Sequence, residues 1–553
     1  MNLFEKIENF KNLFKQKKFD ELINQIDEIE EKNSFIINIY AAAKLLRNDI
    51  EKKDKMSALQ NFEKAYLMDK SSEHALNSLG NYINLATEYG EFKKIFKYYN
   101  EATDFFGENI ILLEAIQRTY RFLHRPEDRN KILKKLIDKK TNSINIWSSY
   151  LYTNNFISNF FSQKQHFDLA IGFEKILTDF QLPKIDIDNN KNLNKLKIAF
   201  FSSNLNQPHS VIYFLKDLLK NIDKNKFHIT AICNWTSDDK PHKDILPNID
   251  EWFLVSKLSD LDAIKLIRSK NFHVVFDLMG MTGDNRPVIF KNRVSPIQIN
   301  WLGYCNTSGI NNMDYIFADP NLIENKDENY YFEKVKKLPK IWSSHSGFST
   351  SRSLNDPPCL KSNSFTFGSF NNFNKISKST LDCWDKILKQ SKNSRLLLKS
   401  SVEHFPDHLN SLFKEKGIDN QITILKKTNS FEDHLEFYDK IDLALDTFPY
   451  NGVTTTFEAL WKSVPVLILK GFNFKSRCGY SILKGLDVED LIANNLDEYV
   501  SKAIYFSHNF DHLKDIKKQI FQKLKESCLF DTKSFTTDFQ NLILDCIKEK
   551  NIF

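Results

Sequence analysis

Thr454, Thr455 and Glu458 lie in the stretch 442–461, DLALDTFPYNGVTTTFEALW, where residue types and spacing suit chemistry on a phosphate. Leu443 and Leu445 read as a short buried strand, Pro449 and Asn451–Gly452 as a turn, and TTTFEALW as a helix. A glycine-containing turn into a helix N-terminus presents free backbone N–H groups and the positive end of the dipole, and Thr hydroxyls add donors. Glu458, one turn in, could accept hydrogen bonds from ribose hydroxyls. Thr455 and Glu458 also have the T-x-x-E spacing of a capping box, so the same atoms can serve only to cap a helix.

Other candidates fall at similar junctions. His209 follows NLNQP and opens the helix HSVIYFLKDLLKNI, whose Val211, Phe214, Leu215, Leu218 and Leu219 make one apolar stripe. A helix N-terminus disfavours imidazolium, so His209 would be neutral and suited to act as a general base, or simply sit at the helix start. The turn GYCNTSGINNMD, with Thr307 and Ser308, could line an acceptor or donor cleft. Lys375 lies at or just before the helix that follows FTFGSFNN, where an ammonium would meet a phosphate, and His434 lies early in SFEDHLEFYDKI. His273 sits inside an apolar strand and reads as core. The i,i+4 pairs His404/His408 and His508/His512 lack a third ligand nearby and read as surface. Asp186 and Asp188 form a D-x-D, but in an Asn/Lys-rich spacer rather than at a strand end, so no metal role is expected.

Positioning such groups needs parallel sheets. From residue 196 onward, apolar strand-like segments alternate with amphipathic helices: 197–203, 228–235, 271–280, 297–304 and 315–320, then 365–372, 394–401, 421–427, 442–448 and 464–471. This is the βαβ pattern of an α/β protein, whose ligands bind beyond the C-terminal strand ends. The Pro- and Ser-rich stretch 351–363 divides two such domains, 196–350 and 364–553. Residues 1–181 read as all-helical, with a degenerate repeat: Ala58, Phe62 and Ala65, then Leu79, Gly80 and Tyr82, then Ala102, which stands 37 positions after Ala65. That is close to the 34-residue tetratricopeptide helix pair. Such an array either offers a groove to a polypeptide partner or only packs against the rest. Residues 182–195 form a polar linker.

The whole-chain numbers exclude other classes. At 553 residues the chain holds roughly three or four domains' worth of sequence. With 41% hydrophobic and 27% charged residues it reads as a soluble globular protein. A net charge of +6 over 77 basic and 71 acidic residues is no basis for nucleic-acid binding. The charged N-terminus reads as neither signal peptide nor anchor, and no uncharged apolar run reaches about 18 residues, so no membrane span is expected. Seven cysteines without a C-x-x-C pair point to neither a disulfide framework nor a zinc knuckle, and so to a reducing cytoplasm.

Four segments together resemble the SPINDLY / O-linked N-acetylglucosamine transferase family: HSVIYFL, SPIQINWLGYCNTSGINNMDY, FTFGSFNNFNKISKSTLDCWDKIL and DLALDTFPYNGVTTTFEALWKSVPVLIL. The similarity covers about residues 196–530. The resemblance implies tetratricopeptide repeats joined to a GT-B region of two Rossmann-like domains. It implies an inverting, metal-independent transferase moving a sugar from a nucleotide diphosphate to Ser or Thr of a protein held by the helical domain. By the same resemblance Lys375 contacts the donor pyrophosphate and Thr454 and Thr455 its phosphates. Glu458 then meets the ribose, His434 lies beside the nucleoside, Asn371 and Asn372 belong to the donor site, and His209 is base or positioning group. UDP-N-acetylglucosamine is the expected donor; GDP-fucose, or a glycan or small-molecule acceptor, are the alternatives. Asn204 stands where the family usually has Asp, and the segment around it is one residue longer. Met281 and Val453 stand where many bacterial members and the animal enzyme, respectively, carry His. FGSFNN and DTFPY are nearer the SPINDLY and bacterial branch.

Overall fold

A computed structural model describes residues 3–47, 52–139, 142–157, 162–182, 195–237, 239–352, 354–362, 364–400 and 407–552. Asp186, Asp188, most of the linker and His404 lie outside these. Met1–Asn142 form one compact unit and Ser143–Phe553 another.

The first unit is helical throughout its described residues, from Leu3–Lys15 to Pro126–Asp138. Helix starts are set by local chemistry: Asn33, Ser72 and Asn109 each accept a backbone N–H from the first turn that follows. Ala58, Ala65 and Ala102, the small positions of the repeat, are fully buried. Gly80 lets the helices Glu73–Glu88 and Ile110–Phe122 approach, since a Cβ there would stand 2.7 Å from the Ile111 side chain. Tyr66, Tyr82 and Tyr98, from three successive helices, pack together, the Tyr98 ring 5.3 Å from that of Tyr66 and 5.7 Å from that of Tyr82.

The second unit holds two parallel sheets. The first comprises β1 (Leu196–Ser202), β2 (Phe227–Cys233), β3 (Glu251–Leu254), β4 (Val274–Asp277), β5 (Ile297–Asn300), β6 (Tyr315–Ala318) and β7 (Lys334–Lys337), in the order β3-β2-β1-β4-β5-β6-β7. The second comprises β8 (Phe365–Ser369), β9 (Ser394–Lys399), β10 (Ile422–Leu425), β11 (Leu443–Leu445), β12 (Val466–Leu469) and β13 (Ile492–Ala493), in the order β10-β9-β8-β11-β12-β13. Strand order reverses beside β1 in one sheet and beside β8 in the other, the kind of position at whose C-terminal strand ends open α/β sheets bind ligands. His209 follows β1; Lys375 follows β8, and Thr454 follows β11.

Two boundaries differ from the expectation. The helices Ile144–Asn154 and Gln163–Thr178 belong with the α/β unit rather than with a helical domain ending at 181. Their Leu151, Ala170, Phe173 and Leu177 share a core with Ala199, Phe201 and Val275 of the first sheet. Glu174 pairs with Lys291, which is 1% exposed and belongs to the α/β unit's own core. The last helix, Thr532–Glu549, crosses back from the second domain onto the first sheet. Phe539 sits 4.6 Å from the Trp301 ring and 5.4 Å from those of Phe276 and Phe317. Among the described residues, no helix is long and apolar enough to cross a membrane.

Candidate active site

The strand–turn–helix segment is built around Asp446, the residue after β11. Its Oδ1 accepts from Gly452 N at 2.7 Å, Thr447 N at 2.8 Å and Asn371 Nδ2 at 3.0 Å. The turn 447–453 is thereby folded back on the strand end, and the helix Thr454–Trp461 starts without a side-chain cap at Val453. The capping box is not formed. Thr455 Oγ1 instead donates to Asn371 Oδ1 at 2.8 Å, and Glu458 accepts from groups on another helix and its 3-10 extension. Thr454 and Thr455 remain half-buried at the helix start, where the first N–H groups have no intrahelical acceptor. Asn371 is buried with both ends of its amide engaged, so it holds the turn. Asn372 is exposed and accepts from Asn374 N at 2.9 Å.

Lys375 ends a 3-10 turn, Phe373–Lys375. Its Nζ donates to Asn451 O at 2.7 Å and stands 4.2 Å from the centre of the Tyr450 ring. The next helix, Lys378–Gln390, staples the same turn: Ser377 Oγ and Thr380 Oγ1 both donate to Phe448 O, at 2.6 and 2.8 Å. The loops after β8 and β11 are therefore one structure. Burial lowers the Lys375 ammonium's pKa from its usual value, and Asp446, Cys478 and Cys305 oppose that shift.

His434, in the helix Phe431–Glu436, stands between Lys399 and Glu458. Lys399 Nζ lies 2.7 Å from its Nδ1, and Glu458 Oε2 lies 2.9 Å from its Nε2. An ammonium can only donate, so Nδ1 accepts and Nε2 carries the proton toward Glu458. Tyr438 donates to the same Glu458 oxygen at 2.8 Å. Phe370 and Phe431 flank the imidazole, their ring centres 6.0 and 5.7 Å from it. Lys399, Tyr438 and Asp446 escaped the sequence reading, although Lys399 and Asp446 each directly end an apolar strand run.

His209 caps the helix Ser210–Asn221 by accepting from Val211 N at Nδ1, 3.3 Å away. Burial holds it below the usual imidazole range, so it is neutral. With Nδ1 used as an acceptor the neutral ring carries its proton on Nε2, which makes that atom a donor rather than a base. The same helix meets the helix Thr454–Trp461 through Phe214 and Phe457, ring centres 5.4 Å apart. Thr307 and Ser308 do not line a cleft. Both are fully buried, because Glu333 accepts from Thr307 Oγ1 and Ser308 N, each at 2.7 Å. Their loop instead brings Cys305 to the second domain, its Sγ 4.0 Å from that of Cys478. His273 is buried and its Nδ1 accepts from Lys197 N, as a core histidine. Among the described residues no group of three His, Cys, Asp or Glu could hold a metal ion.

Residues 130–347 and 348–539 match glycosyl transferase family 41. This chain belongs to that family. The family 41 chain is 27% identical over 342 residues to a probable UDP-N-acetylglucosamine–peptide N-acetylglucosaminyltransferase SPINDLY of Solanum lycopersicum, covering 60% of this chain and 37% of that one. It is 22% identical over 531 residues to the UDP-N-acetylglucosamine–peptide N-acetylglucosaminyltransferase of Caenorhabditis elegans, covering 74% and 46%. The family 41 chain thus spans less than half the length of these curated relatives. In three dimensions it is similar to a mutant O-GlcNAc transferase of Thermobaculum terrenum, with a TM-score of 0.76 at 22% identity over 90% of this chain and 94% of that one. The two-sheet architecture is the GT-B fold.

Proposed function

We propose that the chain is an inverting, metal-independent protein O-glycosyltransferase, which moves N-acetylglucosamine from UDP-N-acetylglucosamine to a Ser or Thr hydroxyl. The observation that carries this reading is the convergence of Lys375 and the helix start at Thr454–Thr455 at the C-terminal edge of the second sheet. Charge grows on the diphosphate as the sugar–phosphate bond breaks. An ammonium in a half-buried site and unpaired N–H groups at a helix start offset that charge best in the transition state. The His434–Glu458 pair, flanked by Phe370 and Phe431, suits the nucleoside. His209 orients the acceptor hydroxyl by donating from Nε2. The helices of the first unit select the protein acceptor, and seven free thiols suit a cytoplasmic setting. The names of the curated relatives support the peptide acceptor and the uridine nucleotide.

A panel of nucleotide sugars read by thermal shift tests the donor, since a ligand that binds only the folded state raises its stability. UDP-N-acetylglucosamine should stabilise most, and transfer should survive excess EDTA. Preferential stabilisation by GDP-fucose would replace the sugar in this reading. Lys375→Ala should weaken nucleotide-diphosphate binding and lower transfer by about 100-fold or more, the scale seen when one charge-stabilising donor is deleted. Lys375→Arg should rescue poorly, because a planar fork does not reproduce a compact ammonium. Wild-type kinetics in Lys375→Ala would remove the donor-site assignment.

A further inference from the structure

Lys375 places a positive charge partly inside the protein, yet its direct partners are an uncharged carbonyl and an aromatic ring. The groups that bear on its charge come from four places: Asp446 after β11, Cys478 at the start of the helix Cys478–Leu486, Cys305 in the loop after β5, and Tyr450 in the turn. Among them only Asp446 is a carboxylic acid. Asp446 is 2% exposed and uses its oxygens unequally. Oδ1 takes all three N–H donors, while Oδ2 is buried with no hydrogen-bond partner.

We propose that Asp446 is the remote counter-ion of Lys375, whose unshared oxygen keeps the ammonium protonated while leaving its N–H groups to the donor's diphosphate. The inference rests on the reading of Lys375 as the diphosphate-binding cation. A carboxylate in direct contact would pair with the ammonium and compete with the incoming phosphates. Here three N–H groups tie Asp446 to the base of the turn, so it acts through space. Away from bulk water that attraction is stronger at a given distance than in solvent. Burial pushes Asp446 up to about 6, so it is ionised at neutral pH and above. It is also the largest influence opposing the burial that lowers Lys375.

Asp446→Asn separates charge from scaffold. The amide oxygen can accept the same three N–H groups, and the amide nitrogen replaces the oxygen that has no partner. The experiment measures the dissociation constants of UDP and of GDP from pH 6 to 10 by calorimetry, with donor hydrolysis over the same range, for wild type, D446N, K375A and K375R. In D446N the alkaline loss of binding and hydrolysis should begin at lower pH than in wild type, so that its affinity falls further below wild type as the pH rises. K375R, which stays charged, should lack the alkaline limb. An unmoved limb in D446N, or a loss equal at every pH, overturns the inference and leaves Asp446 a purely structural residue, with the reading of Lys375 intact. Wild-type binding and hydrolysis in K375A overturns both. If D446N melts far below wild type, Asp446→Ser, which retains an acceptor for Gly452 N, is judged by the same limb.

Discussion

His434 donates its Nε2–H to Glu458 across 2.9 Å, and the two side chains are joined by Tyr438, whose hydroxyl shares the same carboxylate oxygen. Glu458 is therefore held from outside its own helix before any ligand arrives. Glu458→Ala should strand two donors in a buried site, at about 1–3 kcal/mol for each group left unpaired. Glu458→Gln, which keeps an acceptor oxygen, should retain most of the stability. Both should weaken nucleotide binding. Urea denaturation and calorimetry with UDP check this; an alanine variant with wild-type stability and affinity would show that the pair holds nothing.

His209 should act as a donor and cap, not as a base. His209→Ala should lose about 0.5–2 kcal/mol of stability with the cap, and His209→Asn, a good N-cap residue, should recover most of it. Turnover should fall in both, through the lost Nε2–H. The acid limb of the rate profile should be the same in wild type and His209→Asn, because a residue that already carries its proton on Nε2 accepts none there. An acid limb that disappears only in the variant would return His209 to the role of general base.

The catalytic unit should require the two helices before the linker. A chain beginning at Ser143 should fold and hydrolyse the donor. One beginning at Lys195 would bare the first-sheet residues that pack on Phe173 and Leu177, and leave Lys291 without Glu174. Breaking a buried ion pair by removing one partner costs about 3–5 kcal/mol before any apolar loss is counted. Soluble expression and cooperative melting of the shorter chain would contradict this. Transfer to a protein acceptor, by contrast, should depend on residues 1–142, and undiminished transfer by the chain beginning at Ser143 would end the acceptor role proposed for the helices.

The last helix should loosen from the first sheet in acid. Glu549 is paired with Lys336 and Lys334 and accepts from the Tyr315 hydroxyl, and these contacts lower its carboxyl to about 2. A depressed carboxylate stabilises the fold above its unfolded value and loses that contribution as pH falls through the folded value. The window therefore runs from about pH 4.5 down to about 2. Glu549→Gln should melt lower than wild type at pH 7 and approach it as the pH falls toward 2. Exposed ion pairs contribute about 1 kcal/mol or less, so the difference at pH 7 should be small. A constant difference across the range would assign the effect to packing instead.

What the sequence by itself determined was the parallel α/β architecture and the positions where ligands meet it. The interior strands are nearly continuous apolar runs, since both faces of such a sheet are covered, and Val211, Phe214 and Leu218 recur at the helical period. Lys375 and Thr454 could be placed at strand ends because strand and turn are both local signals. The edge strands β3, β7 and β13 were not legible: EWFL and KVKK carry polar or charged residues and the last has two residues, because an edge needs no apolar run. Only the tertiary structure decided which partner each polar group takes. The i,i+3 spacing of Thr455 and Glu458 satisfies a capping box, but donors and acceptors at Asn371, His434 and Tyr438, remote in sequence, claimed both side chains. Thr307 and Ser308 look like cleft residues until Glu333, 25 positions or more away, buries them. The helices 144–154 and 163–178 carry the same period as those before them. Period reports that a face is apolar, and which surface covers that face is settled only when the sheet folds against it.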